Sequence, residues 1–142
     1  MMKVKDLTAQ RSLAIARGSD TVLAAAQAMS KQHIGALVVL DETGALRGIV
    51  TERDVMVRVV AARKDPAKTT VDEIMTPDVY TTDPEHELRA VRLEMRERHI
   101  RHVPVVQDGR VLGVIGMRDL MRAALAEKRE QVSDMTAYIR GE

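Results

Sequence analysis

The chain states one pattern twice, about 66 residues apart, and this repetition restricts what it can fold into. Residues 29–56 and 95–121 carry the two copies. Met29 matches Met95, His33 matches His99, Ile34 matches Ile100 and Val39 matches Val105. With one residue dropped at a hairpin tip, Gly44, Gly48, Arg53, Asp54 and Met56 match Gly109, Gly113, Arg118, Asp119 and Met121. A unit this short buries too little surface to stand alone, so two copies make two halves of one folded body. Such a body has approximate two-fold symmetry and a cleft between its halves, with equivalent residues facing each other across it. That cleft is the first place to look for function.

Composition narrows the function classes. A length of 142 residues fits one compact domain or one pair of packed halves. The 45% hydrophobic content supports a core, but there is no Trp or Phe and only Tyr80 and Tyr138. Val, Ile, Leu, Met and Ala must fill the interior, and platforms for stacking single-stranded nucleic acid are missing. With 22 basic against 21 acidic residues the net charge is +1, which removes the electrostatic case for a DNA or RNA partner. The absence of cysteine excludes disulfides and thiolate metal sites. No apolar run resembles a secretory signal or reaches the roughly 20 residues of a membrane span. The expectation is a soluble, cytoplasmic protein with no membrane partner.

The periodicity predicts an α/β (α+β) fold of two β-α-β-β-α repeats. In the first, residues 13–16 are extended, 20–32 helical, 36–40 a strand, Glu42-Thr43-Gly44 a turn and 46–50 the returning strand. A helix capped by Thr51 then covers 52–63. In the second, 79–82 are extended, Asp83 caps and Pro84 opens a helix over 85–98, and 103–106 form a buried strand. Asp108-Gly109 is a hairpin turn, 111–115 the return and 117–128 the last helix. Between the repeats, 64–70 read as a polar linker and 71–75 as a short helix, which residues 4–8 resemble. The division is therefore 1–65, 66–128 and a tail, 129–142. In the tail, Val132, Met135, Tyr138 and Ile139 stand at helical spacing, an apolar face expected to dock on the body or on a second subunit.

The chemistry concentrates where the hairpin of the first repeat meets its last helix, at Gly48-Ile49-Val50-Thr51-Glu52-Arg53-Asp54. Glycine permits close backbone approach, and the Thr51 hydroxyl converges with free helical N–H groups on a point that favours an anion. Asp54, one turn in, can accept both hydrogen bonds of a vicinal diol such as ribose. Together these groups suit a nucleotide. The plainer reading is that Thr51 caps the helix and Asp54 complements its dipole. On these residues alone both readings stay open.

Other polar residues read as structural. His99 and His102 straddle a helix end and a strand start with no third ligand, so no metal is expected, and His33 and His99 are assigned structural or capping roles. His86 is expected in solvent, and the methionines as filler of the core or of a dimer interface. Glu94, Arg96, Glu97 and Arg98 read as a solvated helix face, with Glu94 and Arg98 at supporting spacing. No Ser–His–Asp or Cys–His arrangement, Walker loop or dinucleotide fingerprint is present, so neither an enzyme nor a catalytic cofactor is expected.

The segment 48–54 fits the pattern G-h-x-T-x-x-D. Together with His99-Ile100-Arg101-His102-Val103-Pro104-Val105-Val106, and with Ile74-Met75-Thr76-Pro77 ahead of the second repeat, it makes the chain resemble the CBS-domain family. Two such motifs, paired as a Bateman module, would cover residues 4–128. The resemblance implies a regulatory sensor whose ligand is AMP or NAD(H), with ATP, ADP and S-adenosylmethionine as further members of the class. It also implies a flat homodimer held by the helices at 52–63 and 117–128, and a downstream protein partner. Carried over, a first ligand site combines Thr51, Arg53 and Asp54 with Val79, Tyr80, Thr81, Ile100, Arg101 and His102. Val79 and Ile100 would sandwich the purine, and Arg101 with His102 would meet phosphate, a task that suits the planar guanidinium fork. A weaker second site combines Leu13, Ile15, Ile34, Gly35, Ala36, Gly116, Arg118 and Asp119. There Gly116 stands where the first site has Thr51, and Gly35 and Ala36 stand where it has Arg101 and His102. A less charged adenosine moiety, one end of a dinucleotide, or nothing is expected at that site. The competing reading is a docking module that binds no ligand and regulates a partner protein.

Overall fold

Alternating strand and helix patterns become the two halves of a computed structural model that describes residues 1–8 and 13–141. Glu142, the end of the expected tail, lies outside them. The elements run α1 (Lys5–Thr8), β1 (Ile15–Arg17), α2 (Val22–Gln32), β2 (Ala36–Leu40), β3 (Leu46–Thr51) and α3 (Glu52–Val55). They continue with α4 (Val71–Ile74), α5 (Leu88–Glu97), β4 (His102–Gln107), β5 (Arg110–Gly116) and α6 (Met117–Arg140). One sheet has the order β1-β2-β3, with β1 parallel and β3 antiparallel to β2, and the other is the antiparallel pair β4-β5. Asp108 and Gly109 both take positive φ at the β4-β5 tip, the left-handed pair that a two-residue hairpin requires.

Period two explains why β2 is apolar throughout. Leu37 and Val39 point into a core with Val22, Ala25, Met29 and Val50. Val38 and Leu40 point the other way, into a separate cluster with Val111, Val106 and Val114 of the second repeat. A strand buried on both faces has no polar side to show. The two sheets thus face each other, and β4 places Val103 and Val105 over the second core with Leu88, Val91, Met95 and Ile115. The strand register slips between Val39 and Leu40 and again between the equivalent Val105 and Val106, so even the irregularity is repeated.

The short segments ahead of each repeat cross over. Val71 and Ile74 of α4, which lead into the second repeat, are buried in the core of the first. Val4, which leads into the first repeat, is buried in the core of the second. Backbone bonds hold both: Val22 N–H to Thr69 O at 2.8 Å and Val71 N–H to Asp20 O at 2.8 Å on one side, Val4 N–H to His86 O at 2.9 Å and Lys5 N–H to Pro84 O at 3.0 Å on the other.

Four details differ from the sequence expectations. The helix expected from 85 begins at Leu88, whose N–H donates to Met2 O at 3.1 Å and not back to Pro84 O, while the Pro84 and His86 carbonyls accept from Lys5 and Val4 of the N-terminal segment. Asp83 instead closes a turn, accepting from Glu85 N–H at 2.8 Å and pairing with His86 Nδ1 at 2.9 Å, so His86 is exposed yet partnered. The extended run 79–82 shrinks to a single parallel bridge, Thr82 with Val105. The helix after Thr51 passes into a π-helical stretch, Met56–Val60, where Ala61 N–H reaches back to Met56 O at 2.9 Å. Finally, the last helix and the tail are one helix, α6, of 24 residues, and among the described residues the tail's apolar face is not covered by the body. Val132, Met135, Tyr138 and Ile139 are 63–85% exposed.

Candidate functional site

Thr51 leaves β3 in an extended conformation and starts α3. Its hydroxyl oxygen accepts from Asp54 N–H at 3.2 Å, while Asp54 Oδ2 accepts from Thr51 N–H at 2.9 Å. The helix cap of the plainer reading is therefore present, as a reciprocal box. It leaves the Thr51 hydroxyl proton and Asp54 Oδ1 uncommitted to the cap. At the equivalent turn, Asp119 Oδ2 accepts from Gly116 N–H at 2.8 Å, but Gly116 has no hydroxyl to return the bond.

Sheet register sets the other wall of each turn. Ala36 pairs with Thr51, and His102 pairs with Gly116, so the start of each repeat's central strand abuts its own capped turn. The same backbone bond ties both corners: Glu52 N–H to Gly35 O at 3.0 Å and Met117 N–H to Arg101 O at 2.8 Å. The His102 ring then crosses the divide. A Cβ built on Gly35 would lie 3.3 Å from its Nε2, and one on Gly116 would lie 3.8 Å from the same atom. One imidazole thus sits against a glycine of each repeat, and a larger residue at position 35 would have to displace it. Burial pushes the His102 pKa down, Glu52 opposes this and Arg101 adds to it.

The segment after the inter-repeat leader opens a shallow cleft of about 550 Å³ walled by Leu46, Pro77, Asp78, Val79, Tyr80, Thr81 and Arg98. Three residues expected around the purine, Val79, Tyr80 and Thr81, therefore line one cavity. Thr51, Asp54, Arg101 and His102 are not among its walls. The Arg98 guanidinium lies 4.5 Å from the Tyr80 ring centroid and covers one of its faces. Arg53, Arg101 and Arg118 are exposed, Ile100 packs at the margin of the second core, and Ile34 holds the same place in the first. Of the remaining second-site residues, Leu13 borders the inter-sheet cluster, Ile15 is half exposed on β1, and Ala36 is buried.

The family model for the CBS domain matches residues 4–61 and again residues 71–126. The chain belongs to the CBS-domain family. It is 37% identical over 146 residues to the mitochondrial CBS domain-containing protein CBSX3 of Arabidopsis thaliana, covering 99% of this chain and 70% of that one. Among solved structures, it resembles a putative signal-transduction protein with CBS domains from Burkholderia ambifaria (TM-score 0.84, 31% identity, 88% of this chain and 95% of that one). It likewise resembles the CBS domain pair of the protein MJ0100, solved with 5′-methylthioadenosine and S-adenosylmethionine (TM-score 0.80, 31% identity, 89% and 98% covered). A tandem CBS pair is a regulatory module, and no helix among the described residues is long and apolar enough to cross a membrane.

Two residues of the CBS pair's corner escaped the sequence reading. Arg58, one turn beyond Asp54, donates to Ile74 O at 2.7 Å and lies 3.7 Å from Asp54 Oδ1. It ties the carboxylate to the leader of the other repeat. The i, i+4 spacing of Asp54 and Arg58 was a visible signal; the Ile74 carbonyl was not. Glu52 Oε1 would sit 3.2 Å from a Cβ at Gly35, beside His102, and its counterpart in the second repeat is Met117.

Proposed function

We propose that this CBS pair is a regulatory sensor of an adenine nucleotide, AMP or an NAD-type ligand, bound between its repeats. One observation carries the reading: the His102 ring rests against Gly35 of the first repeat and Gly116 of the second, so a ligand at either capped turn would touch both halves. The adenosine common to both ligands of the MJ0100 pair supports the ligand class. In the first site, the Thr51 hydroxyl donates its spare proton to phosphate, and the ribose hydroxyls approach Asp54 Oδ1. Arg53, Arg101 and His102 add phosphate contacts, and Val79, Tyr80, Thr81 and Ile100 wall the purine. The second site would combine Asp119 with Leu13, Ile15, Ile34, Gly35, Ala36, Gly116 and Arg118; it lacks the hydroxyl and takes a less charged adenosine moiety. Two copies form a homodimer through the exposed Met56 and Val60 and their equivalents, Met121 and Leu125. Ligand favours one arrangement of the halves in proportion to its differential affinity, and that arrangement is what a downstream protein reads.

Isothermal titration with AMP, ATP, NAD, NADH and S-adenosylmethionine tests this. Binding of at least one, lost in Asp54→Ala and largely kept in Asp119→Ala, is the expected result. Because Asp54 also caps α3, thermal melts run alongside separate lost folding from lost binding. No heat from any of the five ligands would overturn the sensor and leave the docking module.

A further inference from the structure

Beyond the folded body, α6 carries an apolar stripe that folding leaves uncovered. Met121, Leu125, Val132, Met135 and Ile139 are between 50% and 79% exposed. With Lys128 they follow one another at intervals of 4, 3, 4, 3 and 4 residues. That alternation is the 3.5-residue repeat of a helix facing another helix, narrower than the stripe of a helix lying on a globular core. Leu120 and Ala123, which do meet the body, fall outside the seam. The exposed apolar area of the seam, with that of neighbouring Tyr138, is on the order of 700 Å², the upper limit of what pairing covers, against the roughly 800 Å² per partner of a stable interface.

We infer that the α6 helices of two copies of this chain pair antiparallel along this seam. The single polar position decides the orientation. Parallel pairing would set Lys128 against Lys128 of the second copy, two like charges at the centre of the contact. Antiparallel pairing sets Lys128 against the second copy's Val132, where its stem packs and its ammonium reaches water. Met121 then meets Ile139, and Leu125 meets Met135. This pairing rests on the homodimer proposed above and sets its Met121 and Leu125 against the second copy's tail; the N-terminal half of α6, fixed to the body, lowers the cost of ordering the rest.

The chain has no cysteine, so introduced ones are unique. Leu125→Cys chains mixed with Met135→Cys chains and oxidised should give mixed disulfide dimers, at least tenfold over like pairs. Like pairs in excess, or no disulfide at all, would overturn the pairing. In sedimentation equilibrium, Val132→Glu/Met135→Glu should weaken self-association at least tenfold, and Ser133→Glu, off the seam, should not. Unchanged association in the seam variant, or a native chain that stays monomeric, overturns it as well. Should the first variant lose helix content by circular dichroism, Met135→Lys/Ile139→Lys supplies the same comparison nearer the exposed end. Titrating the same five ligands into native chains and tail variants keeps the two proposals distinct: native chains that pair but bind none of the five refute only the sensor.

Discussion

Thr51 and Asp54 each give one side-chain hydrogen bond to the helix cap, and the Thr51 hydroxyl proton and Asp54 Oδ1 lie outside it, so capping does not preclude the proposed binding. The cap has its own measurable contribution. Thr51→Ala should lower stability by about 1 kcal/mol in urea unfolding, whereas Thr51→Ser should keep most of it. His33 and His99 end their helices at φ 55 and 54, a conformation glycine adopts freely. His33→Gly and His99→Gly should each raise stability by roughly 0.5–1 kcal/mol, the left-handed strain relieved less the entropy lost by glycine on folding. At His102 the folded protein holds its proton less tightly than the unfolded chain, whose imidazole titrates near ~6.5. Between the depressed value and ~6.5 the unfolded state binds more protons, so stability rises with pH and is lost as pH falls through that window. Melts from pH 5 to 8 should show this slope and its flattening in His102→Gln. On the proposed sensor reading, a phosphate beside His102 would oppose the shift, and nucleotide affinity would rise on acidification.

Elements with their own period were legible. The strands at 36–40 and 46–50, the Asp108-Gly109 hairpin and the cap at Thr51 appear where the alternation and turn residues place them. What could not be read depended on long-range partners. Asp83-Pro84 carries good helix-start chemistry, yet α5 begins only at Leu88, and Met2, Val4 and Lys5, some 80 residues earlier, bond Leu88 N–H and the His86 and Pro84 carbonyls. The apolar face of the tail was visible, but not that no turn separates it from the helix before it. The site shows the same division. The Thr51–Asp54 turn is local and was found, whereas Arg58 acts through a carbonyl contributed by α4. The leader contact has a predicted magnitude: Ile74→Ala, in a side chain 2% exposed, should cost about 2–4 kcal/mol in chemical denaturation although it lies outside the first repeat's own segment.

For the molecule as a whole, the crossed leaders and the shared cluster of Val38, Leu40 and Val111 mean that neither half has a private core. Calorimetry of the full chain should therefore show one transition. A chain ending at residue 66, without Val71 and Ile74, should show no cooperative melt. Two separated transitions in the full chain would contradict this. The exchange also couples the halves as a swap would. A lone repeat that gave its leader to a neighbour would form a swapped pair of identical chains, and the segment 64–70 makes that arrangement internal. A substitution at Val4 is felt by the second half and one at Ile74 by the first, so neither half can be replaced by a stranger without undoing the other.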